Sequence, residues 1–210
     1  YTSLDNNSCL TGRTLSSVVI IDASGVNITP GTRPRLYYRK STNADTYVDN
    51  TNATNGWKYV EATGSGGSPF SFAADYSLLS GGAPVVNDVI HYFVTAQDLA
   101  GTPNVSISNG TFALQPASVA LSAANFPITG NNSFTITNPG LSGVILLAPN
   151  QTYHSFTEAG PSGLFSAINS GGLSGNVFAY ILAANIVESG AVALNNITYN
   201  GCSAGPYTLT

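Results

Sequence analysis

Short runs in which apolar and polar side chains alternate fill the first half of the chain. They are SSVVIIDA (16–23), PRLYYRK (34–40), GWKYVEAT (56–63), PFSFAADYSLL (69–79), DVIHYFVTAQD (88–98) and VSISNGTFAL (105–114). A period of two places successive side chains on opposite faces of a strand, so each run predicts a half-buried β-strand. Between them stand clusters rich in Gly, Pro, Asn and Ser, such as NITPGTRP, GSGGSP and SGGAPVVN, whose residues favour turns. Six or seven strands of this length predict a β-sandwich over residues 1–115.

The second half, 116–210, opens with QPASVALSAANFPITG, which has the composition of a linker, and continues with the strand-like SFTITNP and GVILLAPNQTYHSFTEAG. In PSGLFSAINSGG the period changes: Leu164, Phe165 and Ile168 share one helical face. Ser162 is placed to cap the start, and Gly171 or Gly172 to stop the helix. NVFAYILAANIVESG and AVALNNITYNG predict further strands. The final PYTLT alternates again, and its Tyr207, Thr208, Leu209 and Thr210 form a strand that needs hydrogen-bonding neighbours on both edges. The expectation is that the missing neighbour comes from outside these residues, either from neighbouring modules of a longer chain or from another copy, which makes 207–210 a candidate assembly edge. The fold class expected is therefore all-β, in two modules of 1–115 and 116–210, with one short helix in the second.

Composition narrows the function classes. Only 8% of the 210 residues are charged and the net charge is −4, so there is no basic surface for nucleic acid or anionic lipid. All six basic residues, Arg13, Arg33, Arg35, Arg39, Lys40 and Lys58, lie in the first 58 positions, which supports a division into two modules. No apolar run approaches the roughly 20 residues of a spanning helix. The chain lacks Met and starts at Tyr1, which reads as a processed mature protein or a fragment of a longer one. Abundant Thr, Ser, Asn and Gly fit an extracellular, cell-surface protein. Cys9 and Cys202 are its two cysteines, and in that setting they are expected to pair, within one chain or between neighbours.

No catalytic constellation emerges, and no cofactor is expected. His91 and His154 have no third ligand or nucleophile at a recognisable spacing. The ten carboxylates are scattered. The loop TNADTYVDNTNATNG (42–56) gathers Asp45, Asp49, Asn50, Asn52 and Asn55 but lacks the spacing of a calcium loop, so it reads as a solvated hairpin. Trp57 and Tyr59 project to one side of a strand, either as part of the core or as a platform for surface glycans. N-x-[S/T] occurs at Asn6, Asn27, Asn52, Asn104, Asn109, Asn131, Asn150 and Asn196, candidate glycosylation positions if the chain is modified.

Two stretches carry a resemblance. GTRPRLYYRKS, GWKYVEA, FSFAADYSLL and TPNVSISNGTFAL, with Asp88, Val89, Ile90, Tyr92, Val94, Ala96, Asp98, Ala100 and Gly101 in between, resemble immunoglobulin-like or fibronectin-III-like modules. Such modules occur in large secreted surface proteins of Bacteroidetes exported by the type IX route. The order Y.S.TEAG..GLF.AIN...LSGNV…YTLT resembles the segment that opens a parallel β-helix in proteins of the same kind. The resemblance implies a display or spacer module without catalytic residues, followed by a capping helix and first rungs. Three functions follow as expectations. The first is a non-enzymatic structural unit that self-associates through its ends into a fibre or stalk, and the second is a glycan-binding adhesin. The third is an accessory region of a polysaccharide-active β-helix protein.

Overall fold

The computed structural model describes residues 1–64, 66–137, 139–182, 186–197 and 207–210. Strands dominate, with one short α-helix, so the β-rich class is observed. Two compact units form: Tyr1–Asn6 with Leu10–Ile136, and Asn7–Cys9 with Thr137–Thr210. The segment 116–136 therefore belongs to the first unit, although its linker-like composition had placed it in the second module.

In the first unit β1 (Gly12–Val18) pairs antiparallel with β4 (Phe70–Asp75). A larger sheet runs β3 (Lys58–Glu61), β2 (Arg35–Lys40), β5 (Val89–Gln97), with β6 (Val105–Ile107) and β7 (Asn132–Thr135) sharing the far edge of β5. The apolar run VVII of 18–21 does not continue β1 as its alternation predicts. The register breaks between Leu15 and Val18, where Ser17 has a φ of 58°, and Ile21 is left 84% exposed. The reason is that pairing with β4 ends at Phe70, so the run has no strand to lie against.

Alternation explains why every residue of β2 is buried. Leu36 and Tyr38 meet Leu15, Phe70 and Phe72 of the smaller sheet in one apolar cluster. Tyr37, on the opposite face, enters a second cluster with Trp57, Phe93, Leu121, Phe126 and Ile128. The cover over that second face is the segment misjudged as a linker. It is tied down by polar groups: the Tyr37 hydroxyl donates to Val119 O at 2.8 Å, and Gln97 Oε1 accepts from Val119 N and the Ser118 hydroxyl. The sheet is thus covered on both faces, and each large side chain buried there contributes about 1.5–3 kcal/mol.

In the second unit β8 (Leu141–Leu147) and β9 (Leu173–Ile181) pair in parallel, and α1 (Leu164–Gly171) lies on the connection between them. Gly163, not Ser162, is the N-cap of α1, because the chain there lies too close to Glu158 O for any Cβ. Gly172, with φ at 68°, ends the helix as expected. Leu164 and Ile168 face inward onto Leu147, Leu173 and Val177 in a single small core. The expected strand over 191–201 is absent from its described part, 191–197.

Candidate functional site: the open end of a parallel ladder

The second unit repeats itself. GLSG occurs at 140–143 and again at 172–175, and E-[AS]-G at 158–160 and 188–190. These repeats stack on one another. Leu141 pairs with Leu173 and Val177 with Leu209, both parallel and each 32 residues apart. A Cβ on Gly140 would come within 2.6 Å of the Gly172 backbone, so the start of one coil sits on the start of the next only because residue 140 is glycine. Each coil of about 32 residues thus supplies one strand to the ladder, as in a solenoid whose units contact only their neighbours.

Side chains reinforce the stacking. The Glu188 carboxylate of the second coil accepts from the Phe156 N–H at 3.0 Å, the Thr157 N–H at 2.8 Å and the Thr157 hydroxyl in the first. Partial burial pushes this carboxyl upward, but the three hydrogen bonds outweigh it and hold its pKa below the usual glutamate value. On the helix, Asn169 donates to Ala193 O and accepts from Asn195 N, joining the same two coils.

The terminal residues begin a third coil. Thr208 O accepts from Val177 N at 2.8 Å, Thr210 N donates to Val177 O at 2.9 Å, and Ala179 N donates to Thr210 O at 2.8 Å. One edge of 207–210 is therefore filled by β9 of the same chain, which corrects the expectation that its neighbour must come from elsewhere. On the other edge, among the described residues no backbone group meets the N–H or C=O of Leu209. Leu209 and Tyr207 turn their side chains into the core, while Thr208 and Thr210 are exposed. At Leu209 the backbone has a donor and an acceptor available to a further strand.

The remaining candidates resolve into structural roles. Trp57 is fully buried and its indole N–H donates to Asp45 Oδ1 at 2.7 Å, so no sugar can stack on it, which removes the Trp57 platform. Tyr59 is half-buried, with the Arg35 guanidinium 4.0 Å from its ring centre. In the 42–56 loop the oxygens already have partners. Asp49 Oδ1 accepts from the Thr54 and Thr51 hydroxyls, bonds that lower its pKa, and the fully buried Lys58 ammonium donates to Asp49 O and Thr54 Oγ1. The loop is therefore closed by a lysine where a calcium ion had been considered. His91 bonds Asn131, and His154 lies 3.4 Å from Glu158. Among the described residues no three His, Cys, Asp or Glu side chains gather to hold a metal.

Cys9 is buried and disulfide-bonded. Cys202, the other cysteine, lies outside the described residues. Among the glycosylation candidates, Asn6, Asn52, Asn104, Asn109, Asn150 and Asn196 are exposed, whereas Asn27 and Asn131 are half-buried. The Asn104 amide is held by Asp98 and that of Asn52 by Ser77 O, which leaves Asn150 and Asn196 the least encumbered by the bonds described. No helix among the described residues is long and apolar enough to cross a membrane. No protein-family model, curated protein or solved structure matches the chain.

Proposed function

We propose that this chain is a non-enzymatic, extracellular structural unit: an immunoglobulin- or fibronectin-III-like sandwich followed by the opening coils of a β-helix-like module. It builds a cell-surface fibre or stalk by strand pairing at the 207–210 edge. The observation that carries the reading is the N–H and C=O of Leu209, which meet no backbone group among the described residues although Thr208 and Thr210 on either side are bonded to β9. The disulfide at Cys9 favours an oxidising, extracellular setting, and a surface poor in charge offers little repulsion between copies.

Leu209→Pro tests it. Proline removes the free N–H but leaves the bonds to β9, which use Thr208 and Thr210. Light scattering and negative-stain microscopy of the parent chain should show concentration-dependent end-to-end association, and the variant should lose it while retaining amide protection at Val177. A parent that stays monomeric at every concentration, or a variant that still polymerises, sinks the reading.

A further inference from the structure

A different surface of the second unit carries an inference of its own. Parallel sheets are ordinarily covered on both faces, because their strands are apolar on both sides. The inner face of β8 and β9 meets α1 through Leu147, Val177, Leu164 and Ile168. The outer face is apolar too, yet bare: Val144 is 63%, Leu146 37%, Phe178 41% and Tyr180 55% exposed. These four are not scattered, since Val144 is the register partner of Phe178 and Leu146 that of Tyr180. They make two adjacent rows, one aliphatic and one aromatic, on a single surface. A contiguous apolar patch of this kind marks an interaction site.

We infer that this face is a sheet-on-sheet interface between two copies of the chain, related by a two-fold axis along the strands between β8 and β9. Two features select a second copy as the occupant. First, β8, β9 and 207–210 contain no Asp, Glu, Lys or Arg, so two such faces meet without like-charge repulsion and without an unpaired buried ion. Second, the face complements itself. The tall row of Phe178 and Tyr180 stands beside the lower row of Val144 and Leu146, and the two-fold lays the tall row of each copy over the low row of the other. That is the isologous arrangement, in which a residue on one copy meets a different residue on its partner and the reverse contact also forms. Interdigitated rows of this kind are how stacked sheets fill the roughly 10 Å between them. A charged partner finds no counter-charge on the face, and within these two rows the Tyr180 hydroxyl is the only polar side-chain group.

This interface is separate from the Leu209 edge, so the two fail separately. Sedimentation velocity of the full chain over a concentration series should show a reversible dimer that persists in Leu209→Pro and is lost in Phe178→Lys/Tyr180→Lys. In a second experiment, chains carrying Leu146→Cys are mixed under mild oxidation with chains carrying Tyr180→Cys. They should cross-link to each other at least about tenfold more than either does alone, a readout that does not depend on the lysine variant folding. Three results overturn the inference: a Leu209→Pro chain that is monomeric throughout, a lysine variant that dimerises like the parent with its fold intact, or cross-linking no greater in the mixture than in the separate chains. Loss of fibres with retention of the dimer in Leu209→Pro leaves this inference standing and supports the edge as well.

Discussion

The two units bury sheets in opposite ways. In the first, β2 and β5 sit between two apolar clusters, and the backbone of the covering segment is fastened by the Tyr37 hydroxyl, the Gln97 amide and the Asp45 carboxylate, the last accepting from Ile128 N. In the second, β8 and β9 have one small cluster beneath them and an uncovered apolar face above. The first unit is closed by its own chain. The second is a ladder that ends on an edge, and its stability rests on coil-to-coil contacts that repeat rather than on a wide interior.

The sharpest way to break the contrast is to open the doubly covered sheet. Trp57→Ala should destabilise the first unit by about 3–5 kcal/mol, because it removes a fully buried indole together with the bond that indole donates to Asp45 Oδ1. Denaturant unfolding followed by near-ultraviolet circular dichroism should then show the first unit melting before the second. The corresponding cut in the ladder, Leu164→Ala, should cost less, about 2–3 kcal/mol, since a small core collapses around the gap more readily. Hydrogen exchange should report that loss at β8 and β9, with β2 and β5 unaffected.

Alkali should separate the units as well. Burial raises the pKa of Tyr37, Tyr38 and Tyr76 in the first unit, and of Tyr47 to about 12. A folded pKa above the unfolded value near 10 means the native state holds its protons longer. The associated stability is complete below pH ~10 and is lost as pH rises from there through the folded values. Phenolate absorbance should therefore appear together with unfolding of the first unit. Among the described residues of the second unit Tyr153 alone shows such a rise, so its ladder should respond less.

The smallest effect is expected at the coil clamp. Glu188→Gln should cost about 1 kcal/mol or less, because the site is largely exposed and the amide retains one acceptor oxygen. Exchange at the Phe156 and Thr157 amides is the measurement. The native Glu188 pKa is depressed, so its contribution is present above the ordinary glutamate range and is lost as pH falls through the folded value. Protection of those two amides should follow that acid titration in the parent and be independent of it in the variant.

Much of the first sheet was legible from alternation alone. The runs at 34–40, 56–63, 69–79 and 88–98 each contain an observed strand, because a half-buried strand writes its two faces into successive residues. The run at 18–21 is as apolar as a buried strand, yet the strand stops at Val18, since pattern reports what a segment could bury and not whether a neighbour is there. Segment 116–128 misled for the converse reason. Its Leu121, Phe126 and Ile128 are spaced by turn residues with no regular period, yet they cover a sheet face as irregular chain. The strand-like pattern of 207–210 was visible, but its β9 neighbour was not. The signal that would have found it, GLSG repeated 32 residues apart, is an internal repeat and not a local pattern.

By itself the sequence determined the β-rich class, a short helix over 164–171 with Gly171 or Gly172 as its stop, and the scarcity of charge. These are consequences of side-chain chemistry read one neighbourhood at a time. Only the tertiary structure decided that Trp57 is interior, that Lys58 closes the 42–56 loop, that Glu188 clamps one coil to another and that one edge of 207–210 is already taken. Each depends on groups from about nine to 83 residues apart meeting at hydrogen-bond distance, and no local periodicity encodes such a meeting.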